Sequence, residues 1–146
     1  MTAGNRIPLI ARHTGRLAVD YQVYSKWDLG LSAIMSSGVY LHGNETNANI
    51  AGASNGAGAV IIGSGRIGGY GVLNLFSSVR VSRVLDAFVR VSNLFERKYA
   101  TAGFLMSNTF ESNGSFRADP EAWTHENSAS PPGPLAAWLG IRLHWH

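Results

Sequence analysis

The sequence predicts an all-β protein of about five antiparallel, amphipathic strands, with two long loops on one edge. Two observations lead there. Apolar residues recur with period two in separate runs, the alternation of a pleated strand whose faces meet different surroundings. The breaks between runs also alternate short, long, short, long. Antiparallel strands joined this way place both tight turns on one edge and both long loops on the other.

Residues 1–11 read as irregular, with Pro8 inside RIPLIARH. Arg16 to Tyr24 alternates, with Leu17, Val19, Tyr21 and Val23 against Arg16, Ala18, Asp20 and Gln22. After the minimal break Ser25-Lys26, Trp27, Leu29, Leu31, Ala33 and Met35 resume the apolar face, opposite Asp28, Gly30 and Ser32. Two such runs read as a hairpin, and the second strand is expected to continue to about Leu41. His42 to about Ile67, rich in Asn, Gly, Ala and Ser, has the composition of a mobile loop.

Tyr70 to Val81 alternates again, with Leu73, Leu75, Val79 and Val81 opposite Asn74, Phe76, Ser78 and Arg80. Ser82-Arg83-Val84 is a second short break. In Leu85 to Ser92, Leu85, Ala87, Val89 and Val91 face away from Asp86, Phe88, Arg90 and Ser92. Asn93 ends that pattern, and Leu94, Phe95 and Tyr99 cluster beside Glu96, Arg97 and Lys98. A second long loop runs from Lys98 to Pro134. The chain closes on LAAWLGIRLHWH, with Leu135, Ala137, Leu139, Ile141, Leu143 and Trp145 on one face.

Tight turns on one edge and long loops on the other are the asymmetry of outer-membrane barrels. Each run has about the roughly 9–11 residues that span a bilayer when tilted. Tyr21, Tyr24, Trp27, Tyr40, Tyr70 and Trp145 are expected near strand ends, where interfacial aromatic girdles belong. No stretch approaches the length of an apolar membrane helix. Alternating strands escape that criterion, because their hydropathy averages away; the mean hydropathy here is 0.00.

A strand running into NLFERKYAT (residues 93–101) resembles the penultimate strand of TonB-dependent outer-membrane receptors, gated barrels that import iron–siderophore complexes and similar nutrients. RIPLIARH (6–13) resembles the family's lead into a late barrel strand, and VYLHGNETN (39–47) the exit of the strand after it. GGYGVLNL (68–75) is similar to the Gly-Tyr lead into the next strand, and PPGPLAAWLGIRLHW (131–145) to the lead into the last. The matches stand in family order along nearly the whole chain. The family normally ends on an aromatic residue, whereas here Trp145 is penultimate and His146 last.

The resemblance implies that residues 1–146 are a C-terminal fragment of such a barrel, without plug domain or signal peptide. The family closes at about twenty-two strands around a plugged lumen, and open edges are unsatisfied in lipid. The fragment is therefore expected not to transport anything alone. Lipid would meet the Leu/Val/Ala faces, and the lumen would meet Arg16, Asp20, Asn74, Arg80, Arg90 and Arg142. The loops would face outside and help admit a ferric siderophore, which is cargo and not a cofactor. Implied partners are outer-membrane lipid, the remainder of the barrel and plug, and TonB only through that plug. The implied location is the outer membrane.

Other functions find little support in the residues. The net charge of +3 comes from scattered Arg and Lys, not from the clustered basic face that nucleic acid requires. With no cysteine there is no disulfide or thiolate chemistry. MTAGNRIPLIARH has no apolar core of a secretory signal. Gly63 to Gly68 fits G-x-G-x-x-G after Ala59-Val60-Ile61-Ile62, with Asp86 near the expected acidic position. A dinucleotide site would need a helix next, and a period-two run follows instead. His144 and His146 could share a metal but are few for a closed site. Asp119, Glu121, His125 and Glu126 form a loop cluster of possible ligands, more readily explained as solvated charge. Arg16 and Asp20 are read as lumen electrostatics, not as an acid–base pair. No catalytic constellation is visible, and no enzyme is expected. The alternative from another class is a soluble, self-associating β-sheet binding module, which would bury its apolar faces.

Overall fold

The computed structural model describes residues 3–52 and 60–145. Its strands are β1 (Thr14–Tyr24), β2 (Trp27–Ser36), β3 (Val39–Tyr40), β4 (Val60–Ile61), β5 (Arg66–Ile67), β6 (Tyr70–Arg80), β7 (Leu85–Ser92), β8 (Gly103–Asn108), β9 (Thr124–Ala129) and β10 (Ala136–Leu143). A 3-10 turn covers Pro120–Ala122. The chain divides into two compact units. A sheet unit holds His13–Ser36, Tyr70–Tyr99 and Pro132–His146, and a loop unit holds Met1–Arg12, Ser37–Gly69 and Ala100–Pro131.

The sheet unit is one antiparallel sheet in the order β1-β2-β6-β7-β10. These are the five strands the periodicity predicts. Ser25-Lys26 and residues 81–84 make the two tight turns, the second closed by Val81 and Ser82 amides donating to the Leu85 carbonyl. At the other end Ser36 pairs with Tyr70 and Ser92 with Ala136, so both long connections leave from the same end.

Register then decides the faces, because paired residues point to the same side of the sheet. Val19, Leu31, Leu75, Val91 and Ala137 form one continuous row across all five strands. Tyr21, Leu29, Ser77, Val89 and Leu139 form the next. This face is aliphatic yet open: Leu17 is 60%, Val19 55% and Leu139 84% exposed. Tyr24 and Trp27 stack at 6.2 Å at the tight-turn end, and the Trp27 indole donates to the Ser77 hydroxyl at 2.8 Å. Tyr70 and Tyr99 stack at 4.5 Å at the opposite end.

NLFERKYAT supplies the hinge between strand and loop. Asn93 takes φ +52°, a left-handed conformation that Asn tolerates better than most residues. Its side chain receives the Arg97 amide at 2.8 Å and donates to the carbonyls of Arg97 and Gly133 at 3.0 and 2.8 Å. Asn93 thus ties the exit of β7 to the approach to β10.

Two expectations are corrected. The second strand does not continue to Leu41: β2 ends at Ser36, and β3 pairs with β5 in a separate sheet. The break falls at Gly38, where a Cβ would stand 2.7 Å from the Ile67 carbonyl oxygen, so this approach needs glycine. Nor are the long connections without structure of their own. They hold β3 and β5, the sheet β4-β9-β8 with a parallel β4–β9 pair, and the 3-10 turn. Leu41, Val39, Ile61 and Leu105 form their small buried core.

Polar side chains do much of the backbone pairing in the loop unit. Asn44, wholly buried, donates to the Gly65 carbonyl at 3.2 Å and accepts the Asn49 amide at 3.2 Å. Asn127 accepts the Gly65 amide at 3.0 Å. Composition rich in Asn and Gly therefore encodes a built loop here. Tyr40 belongs to this unit and not to the girdle of the sheet.

Candidate functional site

The face opposite the aliphatic rows gathers the predicted lumen residues. Asp20, Gly30, Phe76, Arg90 and Trp138 form one row across the five strands. Gln22, Asp28, Ser78, Phe88 and Gly140 form a second, and Arg80, Asp86 and Arg142 a third. Asn74 pairs with Ser32, which pairs with Ala18, and Arg16 lies one row further on. All six candidates thus occupy one face.

They do not form a single cluster. Arg16, Asp20, Asn74 and Arg90 line a depression of about 400 Å³ together with Ser32 and Phe76. Arg90 also borders a second depression, of about 530 Å³, with Phe88, Trp138 and Arg142. Its guanidinium carbon is 5.9 Å from the Phe76 ring centre, a cation–π distance. The Asn74 amide donates to the Ser32 hydroxyl at 3.4 Å, while its oxygen accepts the Asn93 amide at 3.0 Å.

Arg80 stands apart at the tight-turn end. Its Nε lies 3.8 Å from Asp86 Oδ1, and His144 Nε2 lies 2.9 Å from Asp86 Oδ2. Asp86 and His144 were absent from the candidates because only register shows that one carboxylate serves three basic residues of the same face. Ser32, Phe76, Phe88 and Trp138 were likewise unnamed. Each sat on the correct strand face, but their convergence across strands has no single-strand signature.

Two glycines shape this surface by close approach. A Cβ at Gly30 would stand 2.6 Å from Asp20 Oδ1, so the Asp20 carboxylate lies over the β2 backbone. A Cβ at Gly140 would meet the Phe88 ring at 2.5 Å, so that ring covers bare β10 backbone. An aromatic side chain over a cross-strand glycine shields hydrogen bonds the glycine leaves open.

The sharper chemical motifs resolve into structure. Gly63 to Gly68 is followed by β6 and no helix, so the dinucleotide reading has no support. His144 is engaged with Asp86, and His146 lies outside the described residues. Asp119 accepts the Glu121 amide at 2.9 Å as the cap of the 3-10 turn. Glu126 accepts from Asn108 and Thr124 at 3.1 and 3.0 Å. No group of three metal-ligating side chains occurs among the described residues. What the polar face offers is a wall of guanidiniums, amides and rings, suited to contact and passage.

Comparison with known proteins agrees with this architecture. The family model for the TonB dependent receptor-like β-barrel matches residues 1–94. No curated protein matches the chain by sequence. Among solved structures, the ferric-catecholate import receptor Fiu from E. coli K12 in its closed form superimposes with a TM-score of 0.62 at 20% identity, covering 94% of this chain and 15% of its own. The siderophore receptor PiuA from Acinetobacter baumannii gives 0.63 at 15% identity, covering 96% and 15%. The unliganded ferric citrate transporter FecA gives 0.52 at 19%, covering 92% and 17%. These likenesses show the fold, and this chain spans only a small part of each of those proteins. The sequence match over residues 1–94 shows more: the chain belongs to the TonB-dependent receptor-like β-barrel family.

Proposed function

We propose that this chain is a C-terminal portion of the barrel wall of an outer-membrane receptor for ferric siderophores or similar iron chelates. The family is one of receptors and transporters, not enzymes. One observation carries the reading: a five-stranded sheet with an exposed aliphatic face on one side and every candidate lumen residue on the other. In water the first face would be costly, at roughly 25 cal/mol per Å² of exposed apolar surface. Against lipid that cost vanishes. The outer edges of β1 and β10 are unpaired in this order, and open edges have no partner in hydrocarbon. The chain therefore needs further barrel strands and does not transport by itself. Energy would reach it from TonB through a plug. The names of Fiu, PiuA and FecA support a ferric chelate as cargo.

The absence of native cysteine makes single-cysteine labelling clean. Nitroxides at Val19, Leu31, Val89 and Leu139 should be relaxed by oxygen dissolved in lipid. Those at Ala18, Ser32, Ser78 and Ser92 should respond to a water-soluble nickel chelate. Equal water accessibility on both faces, with the chain soluble without detergent, would favour the self-associating module instead. Sequencing the DNA upstream of Met1 tests the fragment reading: plug and early barrel sequence should be found there, and a bare promoter would sink it.

A further inference from the structure

We infer that Arg6, Tyr40 and Arg66 form an anion-recognising face in the loop unit, suited to an oxygen-rich, anionic ferric chelate and not to a neutral one. The inference rests on the receptor reading above and narrows its cargo. The Arg66 guanidinium carbon lies 4.8 Å from the Tyr40 ring centre, and that of Arg6 lies 5.9 Å from the same centre. Two like charges thus converge on one ring. Neither forms an ion pair or donates a side-chain hydrogen bond among the described residues; their recorded partner is the ring. Each guanidinium therefore keeps five N–H donors for an external acceptor.

The arrangement is held by backbone. Tyr40 and Arg66 are direct cross-strand partners in β3–β5. The Leu9 amide donates to the Tyr40 carbonyl at 2.8 Å, bringing the Arg6 segment alongside. Asn47 secures that segment at both ends of one residue, accepting the Arg6 amide and donating to the Arg6 carbonyl at 3.0 Å. A nearby acid does not neutralise the pair, because Glu45 is held by the Gly43 amide at 2.9 Å and by His42 at 3.1 Å. A stacked guanidinium is weakly hydrated and presents its planar N–H edge to oxyanions. An anion between the two relieves their repulsion and satisfies the donors together.

The test uses the full chain refolded in detergent, with equilibrium dialysis read by the colour of the ferric chelate. The probes are ferric tris-(2,3-dihydroxybenzoate), a trianion, and ferric tris-acetohydroxamate, which is neutral, with orthophosphate as competitor. The chain should bind the trianion. Arg6→Gln and Arg66→Gln should each weaken binding about tenfold, the scale of a lost charge-assisted bond. Tyr40→Phe, which keeps the ring, should bind as the parent does. Arg83→Gln, in a tight turn of the sheet unit, is the control and should change nothing. Amide exchange of Leu41 and Asn44 reports whether each variant keeps its fold. Parent-like binding by both folded arginine variants overturns the inference, as does equal binding of the neutral chelate. Displacement by equimolar phosphate overturns it too, reducing the site to one for simple oxyanions. Failure of the parent to bind any chelate also ends it, while the nitroxide pattern still decides the receptor reading separately.

Discussion

The sheet unit and the loop unit meet the demands of burial in opposite ways. In the sheet unit every interior strand is hydrogen-bonded on both sides, yet the side chains have no core; Leu139 is 84% and Ile141 67% exposed. In the loop unit strands are short, but Leu41 is fully buried, and Val39, Ile61 and Leu105 are each below a tenth exposed. Its irregular backbone is satisfied by the side chains of Asn44, Asn47, Asn49 and Asn127. Hydrocarbon tolerates exposed aliphatic side chains but no unpaired peptide group. Water tolerates the reverse. The contrast shows which solvent each unit is made for.

Substitutions can break this contrast, and the largest effect should come from the aliphatic face. Leu139→Arg should destabilise the protein in phospholipid vesicles by about 2–4 kcal/mol, as charge facing lipid does near the midplane. Ala18→Arg, on the polar face, should cost less than about 1 kcal/mol. Denaturant titration of both in the same vesicles measures the difference, and equal costs would mean that the two faces meet the same medium.

In the loop unit the buried asparagine should matter most. Asn44→Ala removes the partners of the Gly65 carbonyl and the Asn49 amide. Leaving such groups unmade should cost about 2–3 kcal/mol, seen as faster amide exchange over residues 41–49 with the β6–β7 ladder unchanged. Gly43→Ala should cost about 2 kcal/mol. Gly43 has φ +92°, and an added Cβ would stand 2.5 Å from the Leu105 carbonyl oxygen. A loss of protection spreading through β6 and β7 would show that the two units do not unfold separately.

The smallest effect concerns pH. The Gly43 amide, helped by His42, holds the Glu45 carboxyl below its ordinary value of 4.5. A depressed carboxyl stabilises the fold above its unfolded value and loses that contribution as pH falls through the lower folded value. Acid titration should loosen residues 42–47 below pH 4.5, and Glu45→Gln should remove this pH dependence. Retained dependence in that variant would assign the transition to another group.

The sheet was legible from the chain because period two survives in every long strand, and a strand open on both faces needs no further information to display it. The five strands, their tight turns, the side of each on which charge lies and the family resemblance in NLFERKYAT all followed from residues in order. The loops were not legible, since Leu41 and Ile61 sit in stretches whose Asn, Gly and Ser content reads as unstructured. Their burial depends on partners such as Leu105 and Asn127, more than sixty residues distant from the positions they meet. The site was half legible. Arg16, Asp20, Asn74 and Arg90 could be assigned to faces, but their shared depression with Ser32 and Phe76 required register. The local alternation of side chains is fixed by the chain itself, because the pleat is a property of the backbone. Which alternating faces meet, which carboxylate serves Arg80, Arg142 and His144, and which ring gathers Arg6 and Arg66 were decided only by tertiary structure, because those are contacts between segments far apart in sequence.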